Sequence, residues 1–170
     1  MDKETSGLIL VAKKRSALTA LSALFAERII KKTYLALLQG SIRKKTVIEQ
    51  PLGILRQQGI RKAIPEENGQ SAKTTFIPLK KIDGYTLCLA LPETGRMHQI
   101  RAHALLLNAP ILGDKLYGQD EKHKLHLHAA KLEFSYKGER WVFETEPPSC
   151  WDESLFAGWN LWKTINQLQN

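Results

Sequence analysis

The stretch Thr94-Gly95-Arg96-Met97-His98-Gln99-Ile100-Arg101 sets two guanidiniums and an imidazole just after a Thr-Gly break. An arginine leaving a strand-to-helix junction can hold a carboxylate or phosphate in a fixed, two-pronged geometry. Arg96 stands at that junction. Arg101 lies five residues on, at a different helical azimuth, so the two need not share a target. At the other end of the chain, Asp2-Lys3-Glu4-Thr5-Ser6-Gly7 puts a carboxylate ahead of a Thr-Ser-Gly turn. A carboxylate can attack as a nucleophile or take up a proton as a leaving group departs. His123, His126 and His128 form a third cluster. On a strand, His126 and His128 would share a face, but His98 and His103 at i, i+5 converge poorly, and no metal site is expected.

These residues need elements to carry them. Gly7 to Lys13 reads as a short buried strand, rich in β-formers and bounded by turn residues. Ser16 to Glu27 has apolar Leu18, Leu21, Leu24 and Phe25 at helical spacing, with Ser16 as the expected N-cap. Thr33 to Leu38 returns as a strand ended by Gly40, and Thr46 to Glu49 as a shorter one. Residues 50–72 keep no period and are punctuated by Pro and Gly, so they read as loop. Lys73 to Leu79 and Tyr85 to Leu91 flank a turn at Asp83-Gly84. Met97 to Leu107 has helical spacing, with Ile100, Ala104 and Leu107 on one face, and stops at Asn108 before Pro110. Lys131 to Tyr136 and Arg140 to Thr145 flank Lys137-Gly138 as a hairpin. Glu153 to Leu168 closes the chain as a helix burying some of Leu155, Trp159, Trp162 and Ile165. Strand-turn-strand pairs predict an α+β fold: a mixed, mainly antiparallel β-sheet with flanking helices.

At 170 residues the chain suits one domain with a real core. Apolar content of 43% against 25% charged excludes a disordered chain. No apolar run reaches the ~18 residues of a membrane span, and the start lacks the pattern of a signal peptide. Cys88 and Cys150 are therefore read as reduced thiols in a cytoplasmic protein. Lys plus Arg number 25 against 17 Asp plus Glu, a net +8. The excess gathers in Lys13-Lys14-Arg15, Lys31-Lys32, Arg43-Lys44-Lys45, Arg61-Lys62 and Lys80-Lys81. A polyanion such as RNA fits that surface.

Five stretches occur in a telling order: Asp2-Lys-Glu-Thr-Ser-Gly-Leu8, Tyr34-Leu-Ala-Leu37, Thr94 to Arg101, Pro110-Ile-Leu-Gly-Asp-Lys-Leu-Tyr-Gly118 and Leu127-His-Ala129. Together they resemble the RluA-type family of RNA pseudouridine synthases, over Asp2 to about Pro147. Val11 to Leu18 looks most like the branch acting on large-subunit (23S) ribosomal RNA, with transfer RNA the other candidate. The resemblance implies isomerisation of uridine to pseudouridine without metal or other cofactor. It implies that Asp2 is the catalytic aspartate, that Arg96 pairs with it, and that Tyr34 lies against the uracil ring. Leu127 would close the pocket, and Thr5, His98 and Arg101 would contact the substrate. The target uridine would have to leave its stack to enter.

Two departures stand out. Met97 replaces a Thr, with little expected consequence. Met1 stands where the family has Leu, and the His-Arg before it is missing. Residues 1–170 are thus expected to be an N-terminally truncated catalytic domain, without the first strands of its sheet or an S4 module. A miscalled start or a split gene would produce this. Such a chain is expected to be poorly active alone, and a catalytically inactive RNA-binding remnant is the alternative reading. A metal-binding protein built on the histidine cluster is the third.

Overall fold

The computed structural model describes residues 2–157 and 160–169. Two apolar runs form its centre. Strands β2 (Lys31–Gln39) and β7 (Tyr85–Pro92) pair antiparallel, with Leu35 opposite Leu89 and Leu37 opposite Leu87. Neither run alternates apolar with polar, because both sheet faces are covered. Leu35, Leu37, Leu87 and Leu89 point into one core, and Ala36, Leu38, Cys88 and Ala90 into another.

Around this pair the sheet adds β6 (Lys73–Ile82) and β3 (Thr46–Glu49) on one side. On the other side lie β8 (Leu127–Tyr136) and the two-residue β1 (Ser6–Gly7), with β9 (Glu139–Glu144) also pairing β8. All pairings are antiparallel except β1 with β8. The expected α+β class, mainly antiparallel, is what the fold shows. Helix α2 (Gln99–Leu106) covers one face through Ile100 and Ala104. Helix α3 (Leu161–Gln169) and the short turn Glu153–Leu155 cover the other, burying Leu155, Leu161 and Ile165. The expected closing helix is therefore split in two. Trp162 is half-buried against that core, and Trp159 lies outside the described residues.

Three expectations need correction. Residues 50–72 are not a loop: β4 (Leu52–Gln57) and β5 (Ile60–Pro65) form a separate two-stranded hairpin. Its turn has positive φ at Gln58 (50°) and Gly59 (77°), the two-residue geometry whose twist matches paired strands. Gly7 to Lys13 is not a strand beyond Gly7. Leu8 still donates its N–H to the Ala129 carbonyl at 2.9 Å, but Ile9 and Val11 are exposed. Strand propensity without a neighbouring strand leaves the chain irregular. Helix α1 (Arg15–Ala26) starts one residue early, with Lys14 at its N-cap and no side-chain cap, so Ser16 does not cap it. It buries no residue fully; Leu21 and Leu24 rest against Ile30 and Leu132.

Gly7 fixes how the N-terminal segment meets the sheet. Its φ is +100°, and a Cβ there would sit 2.3 Å from the Ala129 carbonyl oxygen. Gly7→Ala combines backbone strain of about 1–3 kcal/mol with a clash that pushes β1 off β8. The expected outcome is a fall of several degrees in Tm and loss of whatever activity depends on Asp2, five residues upstream, read by calorimetry and by turnover.

Candidate active site

Helix α2 begins in a turn braced by polar side chains. The Thr94 hydroxyl donates to Gln99 Oε1 (2.6 Å), which also accepts the Arg96 N–H at 3.0 Å. The Gln99 amide donates to Thr74 Oγ1 (3.0 Å) and to the Lys73 carbonyl (2.9 Å). His98, at φ +49°, turns the chain into the helix. Arg96 and Arg101 therefore leave the turn in different directions.

Arg101 is the one that meets the aspartate. Its Nη1 donates to Asp2 Oδ2 at 2.6 Å. The rest of its fork is taken by Asp114, with Nε to Oδ2 at 2.8 Å and Nη2 to Oδ1 at 2.7 Å. Asp114 is fully buried and Arg101 nearly so, while Asp2 keeps 14% of its side chain exposed. Glu4 reaches Arg101 Nη2 at 3.6 Å from a more open position. Burial alone would lower the pKa of Arg101, but the hydrogen bonds and charges of Asp114 and Asp2 outweigh it and hold that pKa above its ordinary value. Two edges of one guanidinium thus face two carboxylates: Asp114 locks the orientation, and Asp2 receives what remains.

Arg96 makes a different bond. Its Nε donates to the Ser71 carbonyl at 3.0 Å. The pairing expected between Arg96 and Asp2 is made by Arg101 instead, because a residue two positions into the helix, and not one at the turn, points back toward the N-terminal segment. Arg96 still lines the same cleft, of about 760 Å³, with Asp2, Thr5, Tyr34, His98, Arg101 and Leu127. The structure thus brings all seven sequence-selected residues to one cavity, with the two arginines in exchanged positions.

Tyr34 comes from β2, on the face that carries Ala36 and Leu38, at a bulge in the pairing with β8. Burial raises its pKa, so the phenol stays protonated at neutral pH. Leu127 is buried at the start of β8. Lys32 donates its ammonium to the Thr94 carbonyl at 2.9 Å, and burial, then Arg28, lower its pKa. His98 sits beside Tyr117, its Nδ1 3.3 Å from the phenol oxygen. Burial, then the charge of Arg101, lower the pKa of His98, against the carboxylates nearby.

Sequence reasoning missed the roles of Asp114 and Tyr117, although both lie in the Pro110 to Gly118 stretch. Their signal was an acid and a tyrosine inside an otherwise apolar turn. The histidine cluster is dispersed. His123 Nδ1 lies 2.9 Å from Asp120, and His126 Nδ1 donates to the Lys124 carbonyl. His128 Nε2 donates to the Thr145 carbonyl, leaving Nδ1 to accept from Ser6. Among the described residues no group of three His, Cys, Asp or Glu is placed to share an ion.

His103 is buried in the same framework. Its Nε2 lies 3.0 Å from the Gln50 carbonyl and its Nδ1 2.9 Å from Thr74 Oγ1. Only the neutral ring with its proton on Nε2 fits a carbonyl there while accepting the threonine hydroxyl at Nδ1. Burial lowers the pKa of His98, His103, His126 and His128. The unfolded chain therefore binds more protons below about pH 6.5, and stability falls as pH drops through that range. Tm is expected to be lower at pH 5.5 than at pH 7.5, with a shallower dependence in His103→Gln.

Known proteins resemble this chain in sequence and in fold. A family model described as RNA pseudouridylate synthase matches residues 1–106. The chain is 37% identical over 169 residues to ribosomal large subunit pseudouridine synthase C of Vibrio parahaemolyticus, covering 93% of this chain and 53% of that protein. It is 41% identical over 136 residues to an uncharacterized RNA pseudouridine synthase of Helicobacter pylori, covering 78% and 55%. The chain spans about half the length of these curated relatives. Its fold is similar to that of human RNA pseudouridylate synthase domain containing 1, with a TM-score of 0.84 at 29% identity over 99% of this chain and 78% of that one.

Proposed function

The chain belongs to the RNA pseudouridylate synthase family, and from that premise we propose that residues 1–170 are a catalytic domain that isomerises uridine to pseudouridine in RNA. The observation that carries this reading is the 2.6 Å contact between Arg101 and Asp2 at the edge of a cleft shared with Tyr34 and Leu127. In it, the Asp2 carboxylate is the nucleophile, or the base, as uracil is detached from its ribose and rejoined through carbon. Arg101 fixes its angle, since an aligned carboxylate needs little reorganisation to react. The protonated Tyr34 phenol lies against the extruded base, where it can stack and exchange a proton. Leu127 and Ile100 supply apolar walls, while Thr5, His98 and Arg96 offer polar contacts to the nucleotide. The reading calls for no metal or organic cofactor.

The substrate proposed is 23S ribosomal RNA, in the cytoplasm. Support comes from the relative named for the ribosomal large subunit, and from the net +8 charge. Pseudouridine mapping of ribosomal and transfer RNA from cells lacking the gene tests this. Loss of modification at a large-subunit site is expected. Loss confined to transfer RNA would redirect the assignment.

A second reading is RNA binding without turnover. It is favoured by α1, which buries no residue fully, and by the exposed Ile9 and Val11 beside the Asp2 segment. Ordering of Asp2 then depends on Arg101 and on the short pairing of Ser6 to Leu8 with β8. Binding without release of a C5 tritium label would identify this state.

A further inference from the structure

We propose that Arg28 and Lys32 form a phosphate seat on the rim of the sheet, and that RNA leaving the catalytic cleft crosses this rim into a second cavity behind it. This rests on the pseudouridine synthase reading.

The second cavity, of about 850 Å³, meets the cleft at the start of β2 and the end of β7, where Lys32 and Pro92 line both. Ile77, from the core on the opposite face of the sheet to Tyr34, forms part of its wall. Its carboxylates are already held: Glu93 by Lys73 at 3.3 Å, Glu133 by Arg140 at 2.9 Å and Glu144 by Lys131 at 3.3 Å. Arg28, Lys31 and Lys45 line the same cavity and, among the described residues, have no carboxylate partner. The cavity therefore carries uncompensated positive charge. Leu91 and Val142 give it apolar ground for a sugar or base. A nucleotide whose base occupies the cleft brings a phosphodiester on either side, and Lys32 stands on the rim that a strand entering the second cavity has to cross.

Arg28 follows α1 in a Schellman turn: the Ile29 N–H donates to the Leu24 carbonyl at 3.0 Å and the Arg28 N–H to the Phe25 carbonyl at 3.2 Å. The position usually belongs to glycine, and Arg28 adopts it at φ +59°. A strained side chain where glycine would serve points to a task for the guanidinium. Lys32 donates one of its three ammonium protons to the Thr94 carbonyl, 2.9 Å away, in the turn that carries Arg96. The other two are available to a ligand. Burial, then the nearby charge of Arg28, lower the pKa of Lys32, so the two cations repel across the rim. A phosphate between them turns that repulsion into charge-assisted contacts on both sides.

Arg28→Gly removes the guanidinium and relieves the positive φ, so its Tm is expected to stay within a few degrees of the parent. Filter binding of a 23S RNA fragment at several salt concentrations is the test. Arg28→Gly is expected to weaken affinity about fivefold at low salt and to flatten the slope of log K against log salt by about 0.7, the share of one single-strand phosphate. Arg28→Lys is expected to keep the parent slope. Lys45→Gln, in the second cavity, is expected to weaken binding as well. Lys122→Gln makes the same charge change on an exposed loop outside both cavities, and is expected to leave Kd and slope unchanged. A parent-like slope in Arg28→Gly, or an equal loss in Lys122→Gln, would overturn the seat. A parent-like Kd in Lys45→Gln would overturn the path into the second cavity. If Arg28→Gly does not fold, Arg28→Asn, which also tolerates this φ, decides. A parent chain that binds RNA without releasing a C5 tritium label would fail the catalytic reading, and the same binding series would still judge the seat.

Discussion

Asp2→Asn is expected to abolish pseudouridine formation while leaving RNA affinity within about threefold. The substitution is nearly isosteric, and the amide oxygen can still accept from Arg101 at the 2.6 Å position. What it loses is the anionic oxygen that, in the proposed reaction, attacks or takes the proton. Removal of a nucleophile commonly costs 10⁴-fold or more, and about that loss of turnover is expected here. Affinity comes mostly from cations on the surface, which the change does not touch. Filter binding and single-turnover kinetics on the same RNA measure the two effects separately. Retained turnover would remove Asp2 from the reaction.

Arg101→Met is expected to damage both fold and activity, and Arg96→Met much less. Arg101 satisfies Asp114, whose side chain is fully buried, through two hydrogen bonds. Methionine fills similar space but strands that carboxylate, and leaving one partner of a buried pair uncompensated costs about 3–5 kcal/mol. For a chain of this size that corresponds to a fall of roughly 10 °C in Tm. Asp2 simultaneously loses the donor that orients it. Arg96 gives up a single bond from its Nε to the Ser71 carbonyl, on a side chain partly open to solvent. Its replacement should shift Tm by at most about 1 kcal/mol equivalent, with an effect confined to substrate affinity. Thermal melts and turnover of the two variants, measured side by side, separate the arginines. Equal sensitivity would mean that the Asp114–Arg101–Asp2 chain does not govern the site.

How far the fold was legible depended on whether local signals sufficed. The Asp83-Gly84 and Lys137-Gly138 turns announced their hairpins, and the β2 and β7 runs announced strands, whereas the cover on both faces of their sheet emerged only from the structure. The β4–β5 hairpin escaped because its turn is Gln58-Gly59, without the usual Asn or Asp, and because its strands mix Arg, Lys and Ile with no alternation against a core. The Leu8 to Val11 run shows the converse: its composition suits a strand, but pairing is a tertiary property, and past the Leu8 N–H bond to Ala129 no strand among the described residues pairs with it.

The site was legible as a set of residues and illegible as a set of pairs. Asp2, Tyr34, Arg96, His98, Arg101 and Leu127 all line one cleft. Which guanidinium meets Asp2 depends on the rotation of α2 relative to the sheet, and that is set by the Gln99 brackets to Thr74 and Lys73. Asp114 was hidden for a related reason. A buried acid is recognisable only once its cation is known, and the spacing of Arg101 and Asp114 along the chain does not reveal a bidentate contact.

Release of tritium from C5-labelled uridine in unmodified 23S RNA, catalysed by this chain, is the most direct test of an Asp2 carboxylate aimed by Arg101 at an extruded nucleoside. Slow release that reaches stoichiometry at a discrete uridine, lost in Asp2→Asn, is the expected result. Tight, salt-sensitive binding with no release, under conditions where the same RNA is modified by a full-length relative, would contradict it.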